Sequence, residues 1–292
     1  MTLAQVILTP TESKKLIAIA LAEIDVVKRA VAHGMIVLNP SSSTYFIVEA
    51  ITGQRPHTNT WMCGMIVPRG ACVEAGELTG MLLGDSANRG PATFKNSWVI
   101  REGKLTVGTP LGTLLDEMGP DDVYIKGVNA IDPDGNVGCL VGDPIKNGTI
   151  GLVTATLRKK NFNLIFPAGL EKLIPIPVRQ AAKEAKRASY TYGMGVATSL
   201  FPCPEGMVIT EPKAIEILSG ATAIPMAAGG LGGAEGAVTL LIKGNDDQVN
   251  EAIKHVERSK GARLPQVRTW NCHDCSPELC TFSLIGKHWV TT

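Results

Sequence analysis

A chain of 292 residues has room for one large or two ordinary domains, and 45% hydrophobic with 19% charged residues is the balance of a globular protein with a real core. A net charge of +1 and an aromatic share of 5% leave neither a basic field nor base-stacking platforms, which argues against a nucleic-acid partner. No apolar run reaches bilayer length, MTLAQVILTPTESKK carries no secretory pattern, and seven cysteines scattered except at the end fit reduced thiols, so no membrane partner and a cytoplasmic location are expected.

In chain order, Thr11 to His33 is predicted as one helix, with Thr11 as N-cap, Leu16, Ile17, Ala20, Ile24, Val27 and Val31 on one face, and Gly34 as the stop. MIVLN (Met35 to Asn39) reads as a short buried strand, PSSST as a polar turn, and STYFIVEAITG as a helix closed by Gly53. Met62 to Pro68 is a strand candidate, and Ser97 to Gly108 a hairpin turning at Glu102-Gly103. LGTLLDEMG is a short helix, Asp122 to Gly127 a strand, Ile150 to Lys159 a helix, and Phe162 to Gly169 another strand. Short apolar strands alternating with helices imply a mostly parallel sheet covered on both faces, and such sheets bind ligands at the carboxyl ends of their strands.

A second unit is expected after SLFPCPEG. GMVIT is read as strand, EPKAIEILSG as helix, ATAIPMAA and AVTLLIKG as strands around the loop GGLGGAEG, NDDQVNEAIKHVERSKG as an amphipathic helix, and ARLPQVRTW as a last strand. That order, βαββαβ, is the ferredoxin-like one. The expected division is an α/β domain over 1–204, the ferredoxin-like domain over 205–270, and a cysteine-containing tail over 271–292.

Four stretches carry candidate chemistry. Ser41, Ser42, Ser43 and Thr44 lie between a strand and a helix, where hydroxyls and backbone N–H groups make either an anion cradle or a helix cap. The stretch from Lys126 to Gly151, KGVNAIDPDGNVGCLVGDPIKNGTIG, sets acids, amides and lysines among glycines at a strand end. There Asp132, Asp134 and Asp143 are candidates for a base or a metal ligand, and Lys126, Lys146 and the more distant Lys172 for holding an anion or polarising a carbonyl. Asp134-Gly135 also reads as a turn; Asn129, Asp143, Lys146 and Thr149 flank glycines near the expected crevice. GGLGGAEG joins two strands, so it does not fit a dinucleotide fingerprint, and it reads either as a hairpin loop or as a lid bringing Glu235 to the site. In CHDCSPELC, the thiols of Cys272, Cys275 and Cys280, with His273, His288 or the distant Cys203 as a fourth ligand, have the spacing to hold zinc or an iron–sulfur centre; they read otherwise as a redox pair or as reduced structural thiols. Arg179, Lys183, Lys186 and Arg187 read as a solvated helix face.

The glycine-rich stretch also resembles the superfamily of ribose-5-phosphate isomerase, glucosamine-6-phosphate deaminase, CoA-transferases and the sensor domains of sugar-phosphate repressors, and looks most like its lactate-utilisation branch. The resemblance rests on Gly127, Asn129, Ala130, Ile131, Asp134, Gly135, Gly148 and Thr149, on NLIFPAGLEKLI with Gly169 and Lys172, and on VLNPSSSTYFIVEAI. The acidic pair with a glycine-glycine loop of the isomerases and the glutamate setting of the CoA-transferases are not found, so no catalytic residue carries over. The resemblance implies a three-layer α/β domain that recognises, or converts, a small anionic metabolite such as a phosphorylated sugar, a CoA ester or a hydroxy acid. Ser41, Ser42, Ser43, Thr44, Asn129, Asp132, Thr149 and Lys172 would bind it, with Asp143 and Lys146 as the catalytic pair. A non-catalytic sensor, and a redox- or metal-linked accessory protein using the cysteine tail, are the alternatives. By analogy with such folds a homo-oligomer is expected.

Overall fold

The computed structural model describes residues 1–56, 64–68, 70–73, 91–142, 147–186, 190, 193–204 and 206–268. Its centre is a mixed six-stranded sheet formed by β2 (Met35–Leu38), β5 (Trp98–Arg101), β6 (Lys104–Thr106), β7 (Val123–Ile125), β10 (Asn163–Pro167) and β12 (Met207–Ile209). The spatial order is β12-β10-β7-β2-β5-β6. The first four strands in that order run parallel, and the hairpin β5–β6 adds antiparallel to β2. Glu102 and Gly103 turn that hairpin at φ 50° and 70°, the left-handed pair that matches strand twist.

The period of two decides how this sheet is buried. Ile36 and Leu38, Val123 and Ile125, and Ile165 point to one apolar cluster, while Met35 and Val37, Tyr124, and Leu164 and Phe166 point to another on the opposite face. The first face is covered by α1 (Pro10–Ala22), α2 (Asp25–His33), α3 (Tyr45–Thr52) and α7 (Glu211–Ser219); the second by α4 (Leu111–Glu117) and α5 (Gly148–Lys160). Each fully buried Leu, Ile or Phe side chain here stabilises the fold by roughly 1.5–3 kcal/mol of transfer free energy.

The region expected as one helix over Thr11 to His33 is two. Ile24 takes an extended conformation, φ −71° and ψ 132°, between α1 and α2. The apolar face continues across the break, so periodicity alone does not reveal it. The cap of α1 is Thr9, whose hydroxyl accepts from Glu12 N–H while the Glu12 carboxylate accepts from Thr9 N–H, a capping box. Glu12 also receives Lys260 Nζ at 2.7 Å and Gly261 N–H at 3.0 Å, tying this helix start to the end of α8 (Asp246–Ser259).

The C-terminal part differs from the expected βαββαβ unit in two places. GMVIT forms β12, but it pairs parallel with β10 in the large sheet. No strand forms over 262–268; instead β1 (Thr2–Leu8) pairs antiparallel with β14 (Ala237–Gly244) over seven residues, and β14 pairs with β13 (Thr222–Gly229). The boundary expected at 204/205 therefore precedes a strand of the large sheet, and the chain's first strand completes the small one. Pro225 sits on β13, an edge strand, where the pairing with β14 shifts register between Pro225 and Ala227. Two smaller antiparallel arrangements complete the described residues: β8 (Ala130–Ile131), β9 (Val137–Val141) and β11 (Ser199–Pro202) in the order β11-β9-β8, and the hairpin of β3 (Gly64–Val67) with β4 (Gly70–Val73). Among the described residues no helix is long and apolar enough to cross a membrane.

Candidate functional site

The four parallel strands stop along one line. Asn39 N–H, just past β2, donates to Ile125 O at 3.0 Å; Lys126 N–H, just past β7, donates to Ile165 O at 3.1 Å; Ala168 N–H, just past β10, donates to Ile209 O at 2.9 Å. Each chain leaves the sheet at the same level, and the polar side chains gather where the strands end.

The serine turn sits at the centre of this edge. Thr44 is fully buried, and its hydroxyl donates to Asn39 O at 2.7 Å; Ser41 Oγ and Thr44 Oγ1 are 3.0 Å apart. These bonds shape the turn into α3, whose N-cap residue Thr44 makes no side-chain capping bond. Ser43 does something else: its buried hydroxyl accepts from Lys172 Nζ at 2.8 Å. Ser42 lies on the same turn, partly exposed. Opposite, Thr149 in the first turn of α5 accepts from Lys126 Nζ at 3.1 Å, and its Oγ1 lies 3.3 Å from Asn39 Oδ1. Gly127 separates the two halves. A Cβ at that position would lie 2.9 Å from Ser41 Oγ and 3.2 Å from Ser43 Cβ, so a bare backbone is what admits the serine turn.

Two ammonium groups are thus brought to the starts of two helices, each on a hydroxyl. Lys172 lies deep in the fold although part of its side chain stays accessible. Desolvation pulls it down to about 8, opposed by the nearby Glu171 carboxylate and reinforced by Lys14. Beyond it, Lys14 Nζ lies 2.9 Å from Glu171 Oε1. Glu211, the first residue of α7, is completely buried; both its oxygens receive Leu170 N–H, at 3.1 and 3.0 Å, and burial pushes its carboxyl up to about 7. An amine and a carboxyl whose environments draw both towards neutrality, at one sheet edge, are the raw material of proton transfer at physiological pH.

Several expected site residues are placed elsewhere. Asp132 is buried, and its carboxylate receives N–H groups from Asp134 at 3.1 Å, Asn136 at 2.9 Å and Val178 at 2.9 Å. Burial opposes its ionisation, but these bonds, led by that of Val178, outweigh it and hold the carboxyl below its ordinary value. Asp132 therefore clamps the β8–β9 turn to the start of α6 (Val178–Glu184), a backbone role rather than a ligand-facing one. Asp134-Gly135 is the turn itself, with Gly135 at φ 82°. Asn129 is exposed, and its Oδ1 accepts Leu140 N–H at 2.9 Å. Glu235 accepts Gly233 N–H at 3.0 Å within its own loop; only the foot of that loop nears the edge, since a Cβ at Gly236 would be 3.7 Å from Glu171 Cβ. Asp143 and Lys146 lie outside the described residues, as do Arg187 and the whole cluster of Cys272, His273, Cys275 and Cys280. Among the described residues no group of three or more His, Cys, Asp or Glu is arranged to hold a metal ion.

Asn39, Lys14, Glu171 and Glu211 are site residues that sequence reasoning passed over. Asn39 was legible as the last residue of an apolar strand, where a lone amide has no packing reason to be. The other three belong to segments whose meeting depends on the tertiary arrangement. No protein-family model matches the chain and no curated protein matches it, so function has to be argued from this geometry.

Proposed function

We propose that the chain recognises a small anionic metabolite at the carboxyl edge of its large sheet, and that Lys172 and Glu211 give that site the means for proton transfer beside a carbonyl. The observation that carries the proposal is the pair Lys126 and Lys172, whose ammonium groups converge from β7 and β10 on the hydroxyls of Thr149 and Ser43. A desolvated ammonium on a neutral hydroxyl is incompletely compensated, and a phosphate or carboxylate supplies the missing charge. The starts of α3 and α5 add their positive ends to the same field. The superfamily suggested by the sequence, with its three-layer domain and its phosphorylated sugars, CoA esters and hydroxy acids, fits such a site and defines the screen. The activity in this reading is proton or acyl transfer, with a carboxyl as acid or base and a lysine holding the developing oxyanion.

Isothermal titration with inorganic phosphate, sugar phosphates, hydroxy acids and CoA esters tests it. At least one class should bind, and Lys126→Ala and Lys172→Ala should each weaken binding by on the order of tenfold or more, the effect of losing a charge-assisted contact. If every class fails to bind a folded protein, or if binding is indifferent to both lysines, the proposal is wrong.

A further inference from the structure

Two thiols meet behind the serine turn. Cys139 lies on β9 and is buried; Cys203 follows β11 and is partly exposed. Phe201 stands opposite Cys139 in the antiparallel register, and Cys203 N–H donates to Val137 O at 2.9 Å, so the two cysteines are diagonal neighbours on one face of this small sheet. The Cys203 thiol donates to Cys139 Sγ at 3.5 Å, and Cys139 Sγ in turn lies 3.6 Å from the carbonyl oxygen of Gly127, the residue against which Ser41 and Ser43 pack. The bond from Cys203 favours a Cys139 thiolate, burial opposes it, and the charges of Lys126 and Lys172 favour it further; the net direction for Cys139 is down, and for Cys203 up.

We propose that Cys139 and Cys203 form an oxidative modification site for a hydroperoxide, and that its oxidation is coupled to occupancy of the anion site through Lys126 and Lys172. The Cys139 sulfur attacks one peroxide oxygen; the O–O bond breaks, Cys139 becomes a sulfenic acid, and the departing hydroxide takes up the thiol proton as water. Cys203, already in contact, attacks the sulfenic sulfur, and a second water leaves with the Cys203 proton. Two thiols and one hydrogen peroxide thus give one disulfide and two waters. Closing the bond draws the sulfurs from 3.5 Å towards about 2 Å, which shifts Cys139 relative to the Gly127 carbonyl that flanks the serine turn. The Cys139 thiolate and a bound anion rely on the same two ammonium groups, so each disfavours the other, and the effect is reciprocal. The coupling rests on the anion-site reading; the disulfide rests on the thiol geometry alone.

The test uses the full chain, reduced and then exposed to hydrogen peroxide with and without saturating inorganic phosphate, followed by alkylation and peptide mapping. A reductant-sensitive Cys139–Cys203 cross-link is expected, and phosphate should slow its appearance by on the order of three- to tenfold. In Cys203→Ser the sulfenic acid at Cys139 should persist long enough to be trapped by dimedone. Cys139 remaining fully alkylatable while other thiols are oxidised overturns the modification site. An unchanged rate in phosphate that calorimetry shows to be bound overturns the coupling. If phosphate does not bind by calorimetry, the same comparison is run with whichever of the sugar phosphates, hydroxy acids or CoA esters does; binding by none of them removes the anion reading and the coupling together, while the cross-link still decides the fate of the disulfide.

Discussion

Glu211 is the group whose replacement speaks most directly about this sheet edge. Its folded carboxyl titrates at about 7 against an ordinary 4.5, and burial is the main cause. A raised carboxyl means that the folded state keeps a proton which the unfolded state releases. Stability from this group is therefore fully present below pH 4.5, falls as pH rises between 4.5 and about 7, and stays at its low level above that. With those two values the penalty is about 1 kcal/mol at pH 5 and about 3 kcal/mol at pH 8. Glu211→Gln keeps an oxygen to accept Leu170 N–H and abolishes the titration. Urea unfolding of both proteins at pH 5 and pH 8 should show the stability difference moving by about 2 kcal/mol in the variant's favour at the higher pH. Lys172, at about 8, goes from charged at pH 5 to about half charged at pH 8, but it does so in both proteins and largely cancels. A stability difference that is the same at both pH values would refute the claim that Glu211 resists ionisation in the fold.

Lys172 gives a second pH-dependent prediction, in binding rather than stability. Its ammonium titrates at about 8, so phosphate affinity should fall as pH rises through 8, whereas Lys172→Arg, which stays charged, should flatten that limb in calorimetric titrations. Gly127→Ala brings a methyl within 2.9 Å of Ser41 Oγ and 3.2 Å of Ser43 Cβ; it should cost about 1 kcal/mol in thermal or urea unfolding and weaken anion binding by more than that stability loss accounts for. Asp132→Asn replaces a carboxylate that three backbone N–H groups share, and should destabilise by about 2–3 kcal/mol in urea while leaving affinity for phosphate unchanged in the folded protein. The wild-type contribution of Asp132 should itself disappear as pH falls below 3.8, because its folded value is the lower one.

Much of the large sheet was legible because its signals are local. The run MIVL is buried at every position, the hairpin has its Glu-Gly turn, and α3 ends on Gly53 at φ 71°. The C-terminal topology was not legible, because local pattern does not say which edge a strand joins. GMVIT is a strand in either arrangement, and only its pairing with β10 places it in the large sheet. Likewise TLAQVIL alternates as a strand should, with Val6 and Leu8 buried, yet its partner lies more than two hundred residues away. The site divides in the same manner. Ser43, Thr149 and Lys172, which meet at the candidate edge, were picked out from sequence by a run of hydroxyls before a helix and by polar residues near glycines after strands. Asp132 was picked out with them because an acid in a polar turn after a strand reads the same whether it faces a ligand or organises the turn, and the two differ only in which N–H groups arrive.

The charges at the sheet edge are the reason an anion is the ligand proposed for this geometry. Lys14 lies against Glu171, so that pair is internally compensated. Glu211 holds its proton up to about 7 and contributes a full negative charge only above that. Lys126 and Lys172 bond to neutral hydroxyls, and the desolvation that pulls Lys172 down measures how incompletely its charge is met. Burying a cation without full compensation costs stability, and a fold that bears this cost at the ends of four parallel strands gains when a ligand supplies the counter-charge. Anion binding should then raise the Lys172 value, disfavour release of the Glu211 proton, and disfavour the Cys139 thiolate, all through one shared field. A ligand that changes only one of these three would have to be bound somewhere other than between Ser43 and Thr149.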